Sequence, residues 1–181
     1  MRGRRQAFWR IVSHMKTSII SLAVAVAAAL GACGGGDTKG AGWNGHTYEI
    51  NRTKGTWEDA QAAAAASGGH LVTITSAEEE QFIVSTFLTG DDKLGVFWMG
   101  CTDKAVEDTF VWVTGEPFSY TNWKSGEPNG WDGEGEDYCC INWNAVRGDP
   151  AGQWNDTLNP GSTGYDNGAN DGPYASIIEH D

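Results

Sequence analysis

The sequence predicts an α+β domain in which two helices are set into a mostly antiparallel group of short strands. Three observations carry that expectation. Thr56 with Asp59, and Ser76 with Glu79, each stand where a capping residue and its reciprocal acid would open a helix, and both are followed by strong helix formers. Apolar and aromatic runs of four to six residues recur between turn residues along the rest of the chain. Finally, 25 Gly and nine Trp in 181 residues favour many strands and turns over long helices.

Taken in order, Tyr48-Glu-Ile50 reads as a short strand. Thr56 caps a helix filled by residues 57–66, and Ser67-Gly68-Gly69 stops it. His70-Leu-Val-Thr-Ile74 is a strand. Ser76 opens a second helix to about Leu88, with Phe82, Ile83 and Phe87 on one face. Strands follow at residues 96–100 and 110–113, then a long turn-rich loop to Gly135. Residues 138–143 and 153–157 are strands flanking a turn at Gly148-Asp-Pro150. Residues 159–172 are nearly all Asn, Gly, Asp, Ser and Thr, an exposed insertion, and residues 174–179 form the last strand. No internal repeat is apparent.

The amino-terminal segment reads differently. Arg2, Arg4, Arg5, Arg10 and Lys16 precede any acid, and residues 17–30 form an apolar run of 14, suited to the core of an export signal and too short to span a bilayer. A start at Met15 would preserve the same signal. Leu30-Gly-Ala-Cys33 resembles the lipobox of bacterial lipoproteins, which implies cleavage before Cys33, lipidation of that cysteine, and anchoring to the outer membrane or cell surface. The expected organisation is a signal at 1–32, a flexible tether at 33–42 and one domain at 43–181. Five of the 12 basic residues lie in the signal, leaving 7 against 24 acidic, a net charge of −17. So acidic a surface argues against nucleic acid as a partner and accommodates bound cations.

The chemistry gathers between Trp123 and Asp156. Glu127, Asn129, Glu136, Asp137, Asn155 and Asp156 are carboxylates and amides on glycine-rich backbone, with no Lys or Arg from Glu127 to Arg147. A hard cation such as calcium takes six to eight oxygens of this kind. A transition metal would call for His or Cys in the cluster, and a hydrolase for a nucleophile beside a base. Neither is apparent among these residues, so an enzyme is not expected.

Eight short motifs, in order, identify the chain as similar to the C-type lectin-like domain. They are Trp57-Glu-Asp-Ala60, Gly69-His-Leu-Val-Thr-Ile74, Trp98-Met-Gly100, Phe110-Val-Trp-Val-Thr-Gly115, Tyr120-Thr-Asn-Trp123, Glu127-Pro-Asn129, Glu136-Asp137 and Trp154-Asn-Asp156. The resemblance implies two helices with two small, mostly antiparallel sheets and a long calcium-binding loop. It implies a principal calcium ion on Glu127, Asn129, Glu136, Asn155 and Asp156, with the backbone oxygen of Asp156 as an extra ligand. Two sugar hydroxyls would complete the shell, each also hydrogen-bonded by a ligand carboxylate or amide. Glu-Pro-Asn, as opposed to Gln-Pro-Asp, resembles members preferring equatorial 3- and 4-hydroxyls, as in mannose, glucose, N-acetylglucosamine and fucose, and Pro128 is expected in cis.

A possible second calcium would use Asp103, Glu107 and Asp137 with Glu136; Gly130, where a further ligand often stands, is a departure that Asp132 or Glu134 would have to make good. The family's two usual disulfides would need partners at Ala64 with Ile178 and at Tyr138 with Asn159, and both pairs are missing. Cys101, Cys139 and Cys140 are extra. Adjacent strand residues face opposite ways, so only one of Cys139 and Cys140 can meet Cys101; since Cys139 falls where the family keeps a core aliphatic, Cys101–Cys140 is the expected bond. Trp57, Trp98, Trp112 and Trp123 are packing residues. Trp131, in the loop, either packs or stacks on a sugar face. Two functions fit: calcium-dependent binding of glycans, or a calcium-stabilised domain of the same fold binding a protein or other surface.

Overall fold

The computed structural model describes residues 40–130, 135–159 and 173–181, all within a compact unit spanning Gly36–Asp181. The expected signal, Cys33, Trp131 and the 160–172 insertion lie outside the described residues. The elements run β1 (Ala41–Trp43), β2 (His46–Gly55), α1 (Trp57–Ala66), β3 (His70–Leu71), α2 (Ala77–Phe87), β4 (Phe97–Thr102), β5 (Val111–Trp112), β6 (Tyr138–Ile141), β7 (Trp154–Thr157) and β8 (Tyr174–His180).

The strands join in one mixed sheet of order β1-β2-β8-β4-β6-β7, with β3 on β8 and β5 on β4. The two expected sheets are thus continuous, linked by the parallel pairing of β4 with β8, while every other ladder is antiparallel. Side chains alternate along β4 and β6. Phe97, Met99, Cys101, Cys139 and Ile141 enter one apolar cluster with Ile83 and Phe87 of α2. Trp98, Tyr138 and Cys140 enter another with Trp57, Ala60 and Ala64 of α1. A helix therefore covers each face of the central strands, which is why they read as unbroken apolar runs instead of alternating ones.

Both helices start where expected, for partly different reasons. At α1 the capping box is complete: the Thr56 side chain accepts from the Asp59 backbone N–H, and Asp59 accepts from Thr56. At α2 Ser76 accepts from the Glu79 backbone N–H, but the Glu79 carboxylate is drawn inward. It accepts from the Tyr48 hydroxyl at 2.8 Å and the Thr75 backbone N–H at 2.8 Å. Its neighbour Glu80 is also buried, accepting from the Trp154 indole at 2.9 Å and the Asn122 amide at 3.3 Å. Periodicity does not reveal either acid, because their side-chain partners Tyr48, Asn122 and Trp154 lie 31 to 74 residues away.

Strand lengths differ from the sequence reading. β2 runs for ten residues, with a register shift against β8 between Asn51 and Gly55, and forms a hairpin with β1 through Asn44-Gly45, both at positive φ. β3 keeps only His70–Leu71, since beyond them Val72 donates to Ile177 but accepts from Gly100, and Thr73 turns its N–H to the Glu179 carboxylate. Gly69 admits no side chain: a Cβ there would stand 2.3 Å from the Glu179 carbonyl oxygen, so only glycine lets α1 hand over to β3 this close to β8.

The cysteine expectation is corrected. Cys101, Cys139 and Cys140 are all free and buried. Thr102 pairs with Tyr138, which sets Cys101 beside Cys139 on the α2 face, where the two thiols hydrogen-bond; Cys140 points to the opposite face beside Trp98. With that register, strand alternation turns Cys140 away from Cys101, so the expected Cys101–Cys140 bond does not form. At the positions of the missing family disulfides, Ala64 and Ile178 pack together in the α1 cluster. Tyr138 and Asn159 instead both donate to the Glu58 carboxylate, which Lys104 joins at 2.9 Å.

Burial pushes the Glu80 carboxyl up from 4.5 to about 7. An acid raised in this way binds its proton more tightly folded than unfolded, so its contribution to stability is full below 4.5 and fades as pH rises through about 7. The span corresponds to about 3 kcal/mol. Glu80→Gln keeps an acceptor for Trp154 without the charge, and urea midpoints measured across that range are expected to flatten in this variant while the parent protein loses stability.

Candidate functional site

The loop reaches the sheet through Trp123, which forms an isolated bridge with Trp154. The Lys124 N–H donates to the Trp154 carbonyl at 2.9 Å, and the Trp154 N–H to that of Asn122 at 2.9 Å. Trp154 sits under this crossing, fully buried, edge-on to both Trp112 and Trp123 with ring centroids 5.7 Å away. Trp57 and Trp98 are likewise core, anchored by indole bonds to the carbonyls of Met99 and Gly55. Three residues after Lys124, Glu127 begins the predicted ligand run, and the Glu127–Pro128 bond is cis as expected.

From β7 the Asp156 carboxylate receives the backbone N–H groups of Asn129 and Gly130, each at 3.0 Å to Oδ2. The Asn129 amide donates to Glu127, and the Asn155 amide to the Asp156 carbonyl. Asn155 Oδ1 is buried with no hydrogen-bond partner. Glu127, Asn129, Asn155 and Asp156 are thus brought together. Glu136 is half-buried on the stretch leading into β6; with Asp156 and Glu127 it belongs to the negative charge that raises Cys140, the largest cause there being burial. The carboxylates of Glu127, Glu136 and Asp156 do not close to within 4.8 Å of one another, a spacing reached among the described residues only by His46, Glu179 and Asp181.

Burial raises the Glu127 carboxyl, and the facing Asp156 adds to it; Asp156 is itself raised, chiefly by burial. A buried carboxylate facing a half-buried one in this way favours a cation between them. The donors fit calcium in kind, since all are oxygens and one, Asn155 Oδ1, lacks a partner although buried.

The second predicted group also converges. Asp103, at the end of β4, donates its backbone N–H to the Asp137 carbonyl at 3.2 Å. Its Oδ2 accepts from the Asp108 N–H at 2.9 Å, whereas Oδ1 is buried without a partner. Burial, then the nearby Glu107 and Asp137 charges, raise its carboxyl. The Glu107 carboxylate lies beside both Gly130 and Gly135, each of which has a positive φ. Sequence reasoning found all these residues but not the orphaned oxygens, which depend on burial that no local pattern encodes.

With this geometry described, comparison with known proteins is informative. Residues 53–160 match the family model described as Lectin C-type domain. C-type lectin domain family 4 member F of Mus musculus is 36% identical over 121 residues, 63% of this chain but only 20% of that protein's length. Among solved structures, the human scavenger receptor C-type lectin carbohydrate-recognition domain has a TM-score of 0.62 at 27% identity, covering 83% of this chain and 99% of its own. The C-type lectin CEL-I of Cucumaria echinata has a TM-score of 0.64 at 26% identity, covering 78% and 94%.

Asp156→Asn keeps an acceptor for Asn129 and Gly130 but removes its charge. The expected cost in the absence of calcium is about 1–2 kcal/mol, the difference between charge-assisted and neutral hydrogen bonds. Any stabilisation that calcium gives the parent is expected to fall sharply, read from denaturation midpoints with calcium and with a chelator. Fold, motif order and loop geometry agree: this chain belongs to the C-type lectin domain family.

Proposed function

We propose that this protein binds carbohydrate through a calcium ion held by Glu127, Asn129, Glu136, Asn155 and Asp156, and that its ligands are glycans presenting equatorial 3- and 4-hydroxyls of the mannose, glucose, N-acetylglucosamine or fucose kind. The observation that carries the proposal is the gathering of Glu127 and Asn129 against Asn155 and Asp156, with a buried acceptor on Asn155 left unpartnered. When bound, the ion supplies open coordination positions for a pair of vicinal hydroxyls. The residues of the chain do the rest. Glu127 and Asp156 accept hydrogen bonds from hydroxyls, and Asn129 and Asn155 donate to them. Asp156 also fixes the loop to β7, so the ligand set is organised before a sugar arrives.

Asp103, Glu107 and Asp137, with Glu136, are proposed to hold a second calcium that stiffens the same loop, and Trp131 to offer a stacking face beside it. The protein acts as a binder and not as an enzyme. Its export signal at 1–32 and lipidated Cys33 would display the domain at 43–181 on a bacterial outer membrane or cell surface, through a tether at 33–42. The relatives named above are animal proteins, so this setting rests on the amino-terminal sequence alone.

The test is retention of the protein on immobilised mannose in calcium, followed by a chelator wash. Retention and elution are expected for the parent. Asn155→Ala and Asp156→Ala are expected to pass through unretained while keeping the parent's circular dichroism. Binding that survives either substitution would remove direct ligation as the mechanism. Calcium stabilisation with no sugar retained would point to a protein or other surface as the ligand.

A further inference from the structure

Away from the loop, the start of β2, the two residues of β3 and the end of β8 bring together His46, His70, Glu179 and Asp181. His46 Nδ1 lies 2.9 Å from Glu179 Oε1 and 3.2 Å from Asp181 Oδ1. His70 Nε2 lies 3.6 Å from the same Asp181 oxygen, and its Nδ1 3.9 Å from Glu179 Oε2. The ligand atoms of His46, Glu179 and Asp181 all fall within 4.8 Å of one another.

Two features distinguish this group from ordinary ion pairing. Both His46 Nδ1 and His70 Nε2 are shielded from water yet make no hydrogen bond. His70 Nδ1 stands 2.9 Å from the Leu71 carbonyl oxygen, which can only accept, so Nδ1 carries a proton and Nε2 is the ring atom turned toward Asp181. A nitrogen lone pair facing a carboxylate is unfavourable unless a proton or a metal ion stands between them, and a metal ion can serve both histidines at once.

The surroundings match those of a ligand set. Glu179 is 2% exposed. It is oriented by the Thr73 backbone N–H and hydroxyl, both at 3.0 Å, and by the Tyr48 hydroxyl at 3.3 Å. The His70 bond to Leu71 fixes that ring in the same way. Such supporting bonds to carboxylate and imidazole are what orient metal ligands. Ligands at 2.0–2.2 Å from a tetrahedral zinc ion lie roughly 3.3–3.6 Å apart, close to the separations found here. Two imidazoles also favour a later first-row metal over calcium or magnesium.

We propose that His46, His70, Glu179 and Asp181 form a site for a divalent transition-metal ion, zinc in preference. It shares no residue with the loop: its strands are β2, β3 and β8, and β8 is separated from β7 by β4 and β6. An ion here would tie the start of β2 and the end of β8 to β3, and would compensate the buried charge of Glu179.

The full chain, saturated with calcium, would be titrated with Co²⁺ as a spectroscopic probe and then with Zn²⁺. One equivalent of cobalt is expected to give the intense visible bands of four-coordinate N/O ligation, and one equivalent of zinc to abolish them. His46→Gln and His70→Gln are each expected to weaken zinc binding at least tenfold, whereas Asp156→Asn leaves it unchanged. Because the parent's cobalt spectrum decides by itself, a misfolded variant would not obscure the answer. Absence of that spectrum, its persistence at full affinity in His46→Gln, or its loss in Asp156→Asn would overturn the proposal, the first implying that the histidines serve only as ion-pair partners.

Discussion

Burial of the central strands on both faces is the constraint from which the rest of the molecule follows. β4 and β6 send alternate side chains into two separate apolar clusters, one under each helix, so no face is left to carry charge. Polar chemistry is displaced to where strands end or leave the sheet. Asp103 stands just beyond β4, Asn155 and Asp156 on the outer strand β7, and Glu179 near the end of β8. The same displacement makes these groups unusual, because they sit close enough to the core to be desolvated. A carboxylate there must find a partner, and Asp103, Asp156 and Glu179 each take backbone N–H groups.

What the sequence revealed and what it concealed divide along the same line. Helix starts were legible because a cap acts over three residues, and Thr56 and Ser76 carry the whole signal locally. The loop ligands were legible as motifs, since Glu127-Pro-Asn129 and Asn155-Asp156 are short and ordered. Strand extents were not, because β3 stops after two residues where Val72 and Thr73 divide their bonds among Ile177, Gly100 and the Glu179 side chain, and β2 extends for ten beside β8. Pairing is a property of two segments, and one segment cannot announce it. The cysteines show the same limit. Alternation was correctly applied, but choosing between Cys139 and Cys140 required the register of β4 against β6, which is fixed by Thr102 opposite Tyr138.

Glu79, Glu80 and Glu179 were the least foreseeable. Each looks like an ordinary surface acid in its own strand or helix, yet each is buried against groups distant in the chain: the Tyr48 hydroxyl, the Trp154 indole, the Thr73 amide. Nothing local in the sequence singles out His46 or His70, and only their meeting with Glu179 and Asp181 gives them a shared meaning. Long-range polar contacts of this kind leave no periodic trace.

The cluster around Glu58 carries a different implication. Where relatives of this fold would place a covalent cross-link, Tyr138, Asn159 and Lys104 meet on one carboxylate instead, and the described cysteines are all thiols. Nothing covalent beyond the backbone closes the described part of the domain. A reductant is therefore expected to leave this part of the domain as folded as before, since among the described residues it holds no cross-link to break.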